Sequence, residues 1–386
     1  MSPAASGPWS PHWEPALQDL LERVQQTHAQ IGDAWPYHAD PDTGRWETTG
    51  DGDWCGGHWV ECLRITAVLT GRADLQQAAH ARTERLRHYL ERDDQFRGHR
   101  FYYAAARQHD ATGDPRLRTL ALAAAYAMRA MAMAINGAMP IGTQVQVKST
   151  DLASRSIVAV DNVHPNLLLD WWAFRRTGDK AFIDGARQHL ATTQRDFIRA
   201  DGSTVEFIEY DPLTGLPLRE FTLLGAHDHS CWSRGQAWAV AGYLRAWEEL
   251  GDARYLDIAR HLLGYWMRNS APDLIPPWDF MDPARQSSPA DVPLDTSAAA
   301  ILVEQLARVA VNASLAAQAP DLVDVLRTML DGLIGHLSTS AQPPAGRLRE
   351  GCFNQPRNFA NRSELIWGSA YLLYALSYLR QGSAPA

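Results

Sequence analysis

Four short phrases decide the fold: Thr70-Gly71-Arg72-Ala73-Asp74-Leu75, Thr112-Gly113-Asp114-Pro115-Arg116-Leu117, Thr177-Gly178-Asp179-Lys180-Ala181-Phe182 and Leu250-Gly251-Asp252-Ala253-Arg254-Tyr255. Each follows one apolar-periodic segment and precedes another. The glycine ends a helix in the left-handed conformation, and the residues after it cap and start the next. They read as the turns of helical hairpins. Working outward gives helices over about Pro15–Ala29, Cys55–Leu69, Leu75–Glu91, Tyr102–Asp110, Leu117–Asn136, Val163–Arg176, Ala181–Arg199, Trp232–Glu249, Tyr255–Arg268, Ser297–Ala310, Leu322–Leu337 and Ser363–Arg380. Hairpins at irregular spacing, with long connections on alternate links, fit an all-α (α/α)6 toroid better than an open solenoid of regular period. The long links are Ile31–Trp54, Asp93–Phe101, Met139–Val160, Ala200–Cys231, Ser270–Thr296 and Ser338–Arg362. Six of them on one rim build one pocket. Segment Ser203–Tyr210, with the turn Asp211–Pro217, predicts a small β-hairpin in that rim, and Gln144–Lys148 a further short strand.

The chain has 386 residues, 46% of them hydrophobic and 21% charged, so it can bury a large core, and residues 1–386 are read as one barrel domain. Residues 1–12 and 381–386, polar or rich in Pro, Ser and Ala, are expected to fray. A net charge of −8 argues against nucleic acid or an anionic membrane as partner, since both call for a basic face. The N-terminal stretch lacks the basic and apolar regions of a secretory signal. No apolar run reaches the roughly 18 residues of a membrane span. Four scattered cysteines do not make a disulfide framework. The expectation is a cytoplasmic protein acting on a small molecule.

Chemistry points first to Val160-Asp161-Asn162-Val163-His164-Pro165-Asn166, between the apolar run Ile157–Ala159 and a Leu/Trp-rich helix. A carboxylate so placed must be paired, hydrogen-bonded or protonated. The bland alternative is that Asp161 caps the helix that follows. A second stretch, His227-Asp228-His229-Ser230-Cys231-Trp232-Ser233-Arg234-Gly235-Gln236-Ala237-Trp238, crowds imidazoles, indoles, a guanidinium and an amide into one helix entrance, which is a pocket composition. Trp232 and, from another rim loop, Trp54 are candidates to stack on a sugar ring. Arg234 either contacts substrate or pairs with a carboxylate such as Asp228. Trp54-Cys55-Gly56-Gly57-His58 with Cys62 hints at zinc, but no Cys-His pair elsewhere completes a tetrahedral set. No phosphate loop, nucleophile elbow or nucleotide fingerprint is present, so no metal and no cofactor is expected.

The runs Asp161-Asn162-Val163, Ser230-Cys231-Trp232-Ser233-Arg234-Gly235-Gln236-Ala237-Trp238 and Pro277-Trp278-Asp279-Phe280 with Asp295-Thr296-Ser297, in that order, resemble the unsaturated glucuronyl hydrolases, glycoside hydrolase family 88. The resemblance implies an (α/α)6 hydrolase that removes a terminal 4,5-unsaturated uronate from small anionic oligosaccharides. Its aspartate, matched by Asp161, protonates C4 of the vinyl ether, and water adds at C5. It also implies substrate or pocket-shaping roles for Arg234 and Gln236. The chain departs from the family pattern where a second aspartate belongs. Phe96 stands at about that position, and Asp94, two residues away, is expected to take over as the second acid. Glu206 stands where a uronate-binding histidine belongs; it is the second candidate, after Asp94, for the second acid, or else only fills the histidine's place at the substrate. Leu223-Leu224 replace a His-Gln pair. His227, beside the Trp/Arg/Gln run, is a further candidate substrate contact. Two readings compete: a toroid sugar isomerase or epimerase, which would need two histidines facing across the pocket, drawn from His58, His164, His227 and His229, and a saccharide-binding relic that has lost its second acid.

Overall fold

The computed structural model describes residues 8–144 and 154–385. Twelve helices make the body: α1 (Glu14–Ile31), α2 (Gly56–Thr70), α3 (Ala73–Arg85), α4 (Arg107–Thr112), α5 (Pro115–Arg129), α6 (Pro165–Thr177), α7 (Lys180–Phe197), α8 (Ser233–Leu250), α9 (Ala253–Asn269), α10 (Thr296–Val311), α11 (Pro320–Gly335) and α12 (Ile366–Gln381). The even-numbered helices pack side by side in a closed inner ring, each odd-numbered helix lies outside its partner, and the fold is an (α/α)6 toroid. Inner helices are buried all round, as α8 and α12 show by their nearly unbroken burial, whereas outer helices such as α9 bury one stripe.

The four turn phrases behave as their chemistry demands. Gly71, Gly113, Gly178 and Gly251 end inner helices at φ of 71°, 74°, 71° and 66°. Asp114, Asp179 and Asp252 then cap the outer helices by accepting from the backbone N–H two residues on. These short turns all leave the C-terminal ends of inner helices, so the long connections gather at the opposite rim. Buried ion pairs fill the turn-side end of the barrel: Arg107 with Glu61 at 2.6 Å, Arg308 with Glu248 at 2.8 Å and Arg245 with Glu249 at 2.6 Å.

The rim carries two three-stranded sheets. In one, β1 (Trp35–Ala39) pairs with β2 (Trp46–Thr49) and with β6 (Glu364–Leu365), tying the first connection to the last. In the other, β4 (Phe207–Tyr210) lies between β3 (Ile157–Ala159) and β5 (Pro217–Phe221), with Ala159 opposite Phe207. The predicted hairpin is thus present, and a third strand joins it. Beyond Gln144, the strand expected at Gln144–Lys148 lies outside the described residues. Three helices differ from expectation: the helix expected over Leu75–Glu91 is α only to Arg85, with Leu86–Glu91 a 3-10 turn. The second inner segment begins earlier, as a π-helix over Gly98–Ala106 that runs into α4. Helix α5 stops at Arg129 instead of Asn136, because Asn136-Gly137 turns the chain, with Gly137 at φ 70° and the Met133 N–H reaching the Asn136–Gly137–Ala138 turn at the Ala138 carbonyl. Of the ends expected to fray, residues 1–7 and 386 lie outside the described residues; Pro11–Trp13 forms a 3-10 turn, and Gln381 still belongs to the last helix, α12. No helix among the described residues is long and apolar enough to cross a membrane.

Candidate active site at the rim

Every inner helix starts at the loop-rich rim, so six helix N-termini converge there. Each carries unsatisfied N–H groups and the positive end of its dipole. Asp161 occupies this rim on a 3-10 turn, Val160–Val163, between β3 and α6. The apolar run Ile157–Ala159 makes β3, its register with β4 extends through Val160 N–H to the Glu206 carbonyl at 2.9 Å, and Pro165 at the first turn of α6 stops the strand from continuing. The turn is held from behind. Asn162 donates to the Met139 carbonyl at 2.7 Å, Asn166 donates to Asn162 at 3.0 Å, and Asn166 in turn accepts from the Gly98 N–H at 2.9 Å. Gly98 is obligatory here, because a Cβ would overlap the Pro165 carbonyl.

Asp161 does not cap α6, whose N-cap has no side-chain hydrogen bond. Its residue surface is only partly covered, yet Oδ1 is buried and has no protein partner. Burial first, then the charge of Glu206, push the Asp161 carboxyl up to about 7, against a smaller pull from Arg234. Glu206 precedes β4 and is buried. Its Oε2 accepts from the Thr222 hydroxyl and from the N–H groups of Leu223 at 2.9 Å and Leu224 at 3.0 Å, while Oε1 is buried without a partner. Burial raises its carboxyl to about 7 as well, although those three donors favour the charged form.

Arg234, at the start of α8, is committed within the protein. It pairs with buried Asp295, the N-cap of α10, and donates to the carbonyls of Cys352 at 2.8 Å and Phe353 at 2.9 Å. Arg234 thus pairs with a carboxylate, as one of the two readings had it, but with Asp295 and not Asp228, which accepts from the Thr222 N–H at 3.1 Å. The Arg234 guanidinium lies 4.5 Å from the ring of Trp232, 5.6 Å from Phe353 and 5.8 Å from Trp367. Those last two rings meet Trp54, with centroids at 6.4 and 4.6 Å, so Arg234 joins the two tryptophans into one aromatic wall. Trp54 donates from its indole to Tyr37 at 3.1 Å.

Gln236, in the first turn of α8, is fully buried. Its amide donates to the Gly202 carbonyl at 2.7 Å and the Leu262 carbonyl at 2.9 Å and accepts from the Cys231 thiol, so it ties α8 to its neighbours where a ligand contact was expected. Asp94 is likewise placed differently from its expected role as second acid. It is buried, both carboxylate oxygens accept from Arg100 at 2.7 and 2.9 Å, and Oδ1 also caps the Phe96 N–H. The aromatic ring at the vacated aspartate position, Phe96, packs 5.8 Å from Trp54. His227 sits in an exposed loop beside Asp228 and His229.

Behind the aromatic wall, His58, His99 and His164, each at the start of an inner helix, cluster among Tyr103, Tyr371 and Trp238. His58 Nε2 is 3.3 Å from His99 Nδ1, and burial lowers His58 and His164 to about 3. Of the histidines that an isomerase could draw on, His58 and His164 lie in this buried cluster and His227 and His229 in the exposed loop. Among the described residues no three His, Cys, Asp or Glu side chains are grouped to hold a metal ion. One rim acid escaped the sequence reading: Asp53, at φ 47°, accepts from the Trp54 N–H at 2.7 Å, and burial raises its carboxyl to about 6. The run Gly50-Asp51-Gly52-Asp53 was its signal.

No family model matches the chain. The unsaturated glucuronyl hydrolase of Bacillus sp. strain GL1 is 28% identical over 382 residues, covering 96% of this chain and 97% of that protein. A structure of that enzyme, described as responsible for the degradation of glycosaminoglycan, superposes with a TM-score of 0.84 at 26% identity, over 96% of this chain and 97% of the other. Over nearly its whole length the chain is thus similar to an unsaturated glucuronyl hydrolase. A second family protein of that name, from Formosa agariphila, is 31% identical over 221 residues, 57% of this chain and 54% of its own. One further structure of the family, also at a TM-score of 0.84 and 26% identity over 96% and 97% of the two chains, holds dGlcA-Glc-Rha-Glc.

Proposed function

We propose that this protein is a glycoside hydrolase that removes a terminal 4,5-unsaturated uronate from a small anionic oligosaccharide, with Asp161 as the proton donor. The observation that carries the reading is the Asp161 carboxyl, pushed to about 7 by burial, with an unpartnered Oδ1 at the rim. Full-length similarity to an unsaturated glucuronyl hydrolase supports the substrate class. The convergent N-termini of six inner helices favour an anionic ligand where Arg234 is already neutralised by Asp295. Trp54 and Trp232 supply the apolar faces on which a sugar ring stacks.

Ordinary glycosidases place two carboxylates about the glycosidic bond. Here the reaction starts at the double bond. Asp161 gives its proton to C4 as the C4=C5 electron pair forms the new C–H bond, leaving positive charge at C5 shared with the ring oxygen. Water adds at C5 and returns a proton to the Asp161 carboxylate. The resulting hemiketal opens to a ketone, and the hemiacetal so exposed at C1 releases the aglycone. An acid poised near the working pH suits this step, since it is loaded and still able to give its proton up. The test is a panel of lyase-generated unsaturated disaccharides. Loss of the ultraviolet absorbance of the C4=C5 uronate, with release of the neighbouring sugar, is expected for at least one; intact absorbance across the panel would overturn the substrate class.

A further inference from the structure

We propose that Glu206 is the positioning residue that keeps a proton on Asp161: its Oε1 and Asp161 Oδ1, two buried rim oxygens that the protein leaves without partners, hold one proton between them. This rests on the reading of Asp161 as the acid of the site, and gives Glu206 a task in the reaction in place of uronate recognition.

The geometry is asymmetric in a useful way. Glu206 Oε2 takes three donors, from Thr222, Leu223 and Leu224, which fixes the side chain and favours negative charge on that oxygen. Oε1 is buried and has no donor of its own. Asp161 follows Val160, whose N–H is hydrogen-bonded to the Glu206 carbonyl at 2.9 Å, so β-pairing brings the two acids to one place from 45 residues apart in the sequence. A buried carboxylate oxygen without a donor is costly, and one proton relieves two of them at once.

Other charges around the pair are committed elsewhere. From α8, Arg234 draws both carboxyls toward ionisation, but it is paired with Asp295. From the loop that follows α9, Asp279 accepts from Ser230 at 2.6 Å and from the Ala226 N–H at 3.0 Å. Asp228 holds the Thr222 N–H, and Glu220 on β5 is bonded to His229 and to Arg199. Glu206 is the carboxylate whose charge raises Asp161. When Asp161 has given its proton to C4, two like charges face each other, and this repulsion draws back the proton that the attacking water releases. The pair thus begins and ends the cycle with one proton.

Two measurements on the full chain test this. The first is the pH dependence of kcat/KM for wild type, Glu206→Gln and Glu206→Asp. Glu206→Gln keeps the shape but removes the charge, and its alkaline limb moves to lower pH by about one unit or more; Glu206→Asp restores the charge and moves the limb back. The second needs no turnover: infrared titration of the protonated carboxyl band, taking the difference between each background and its Asp161→Asn partner. The Asp161 carboxyl is expected to titrate near neutrality in the wild-type background and about one pH unit lower with Glu206→Gln. If that variant fails to fold, Thr222→Val, which removes a donor from Oε2, lowers the charge on Glu206 and moves the Asp161 midpoint in the same direction. An unmoved midpoint in the infrared overturns the pairing, even in an active enzyme. A moved midpoint in a protein that leaves every unsaturated uronate intact upholds the pairing and removes the hydrolase reading.

Discussion

Asp161→Asn is expected to stabilise the folded protein above neutral pH. An aspartate side chain in the unfolded chain titrates near 3.8, whereas burial and the charge of Glu206 raise it to about 7 in the fold. Below 3.8 both states hold the proton and the fold is not penalised. As pH rises from 3.8 toward 7 the unfolded chain ionises while the folded one resists, so stability falls through that window and levels off above it. At about 1.4 kcal/mol per pH unit the full penalty at pH 8 approaches ~4 kcal/mol, and at pH 5 it is under half of that. Partial exposure of the residue screens the charge, so about 1–2 kcal/mol at pH 8 is the working figure. Asparagine has no charge to bury, and its side-chain N–H can donate to Glu206 where the shared proton is lost. Urea denaturation of both proteins at pH 8 and pH 5 reads the difference directly. The variant should be the more stable at pH 8, with the gap shrinking at pH 5. A variant less stable at pH 8, or a gap independent of pH, would refute the claim that the fold holds this carboxyl protonated.

Other outcomes follow from the same contacts. In the active wild type, kcat/KM should fall about tenfold per pH unit above a midpoint near 7, because the acid that must donate is then ionised; a flat profile from pH 7 to 9 would contradict this. Asp295→Ala strands the buried Arg234 guanidinium and should cost about 3–5 kcal/mol in denaturant titration. Asp94→Asn should weaken the pair with buried Arg100 and lower the melting temperature while kcat stays within about threefold of wild type, since general acid help would be worth about 10²–10⁴; loss of turnover in a folded variant would return Asp94 to the acid role. Gly98→Ala should destabilise by at least the ~1–3 kcal/mol of an overpacked core, read by thermal unfolding, because the backbone of α6 blocks its Cβ.

The toroid was legible because its turns are local. A glycine at positive φ directly before the next helix needs nothing beyond six consecutive residues, and four such phrases, three of them with an aspartate cap, placed four hairpins. Asp161 was legible for a related reason: one acid between an apolar strand and an apolar helix stands out. What the sequence hid depends on distant pairing. Glu206 was visible as a departure from the family pattern, but its position beside Asp161 comes from the register of β3 on β4. Asp94 lay two residues from the expected position, and its capture by Arg100, six residues on, was not anticipated. Arg234 and Gln236 share a pocket-like phrase, yet from α8 they reach different places, Asp295 for one and the carbonyls of Gly202 and Leu262 for the other. Strand β1 was missed because Trp35-Pro36-Tyr37-His38-Ala39 carries a proline and no clean alternation, and its partners β2 and β6 come from opposite ends of the chain.

The most direct measurement of the central claim compares wild type with Asp161→Asn on one unsaturated disaccharide, following the loss of C4=C5 absorbance at pH 6, with circular dichroism confirming that both are folded. The account predicts rapid bleaching by the wild type and a rate at least ~100-fold lower for the variant, the minimum expected of a removed general acid. A folded variant that bleaches the substrate within tenfold of the wild-type rate would contradict it.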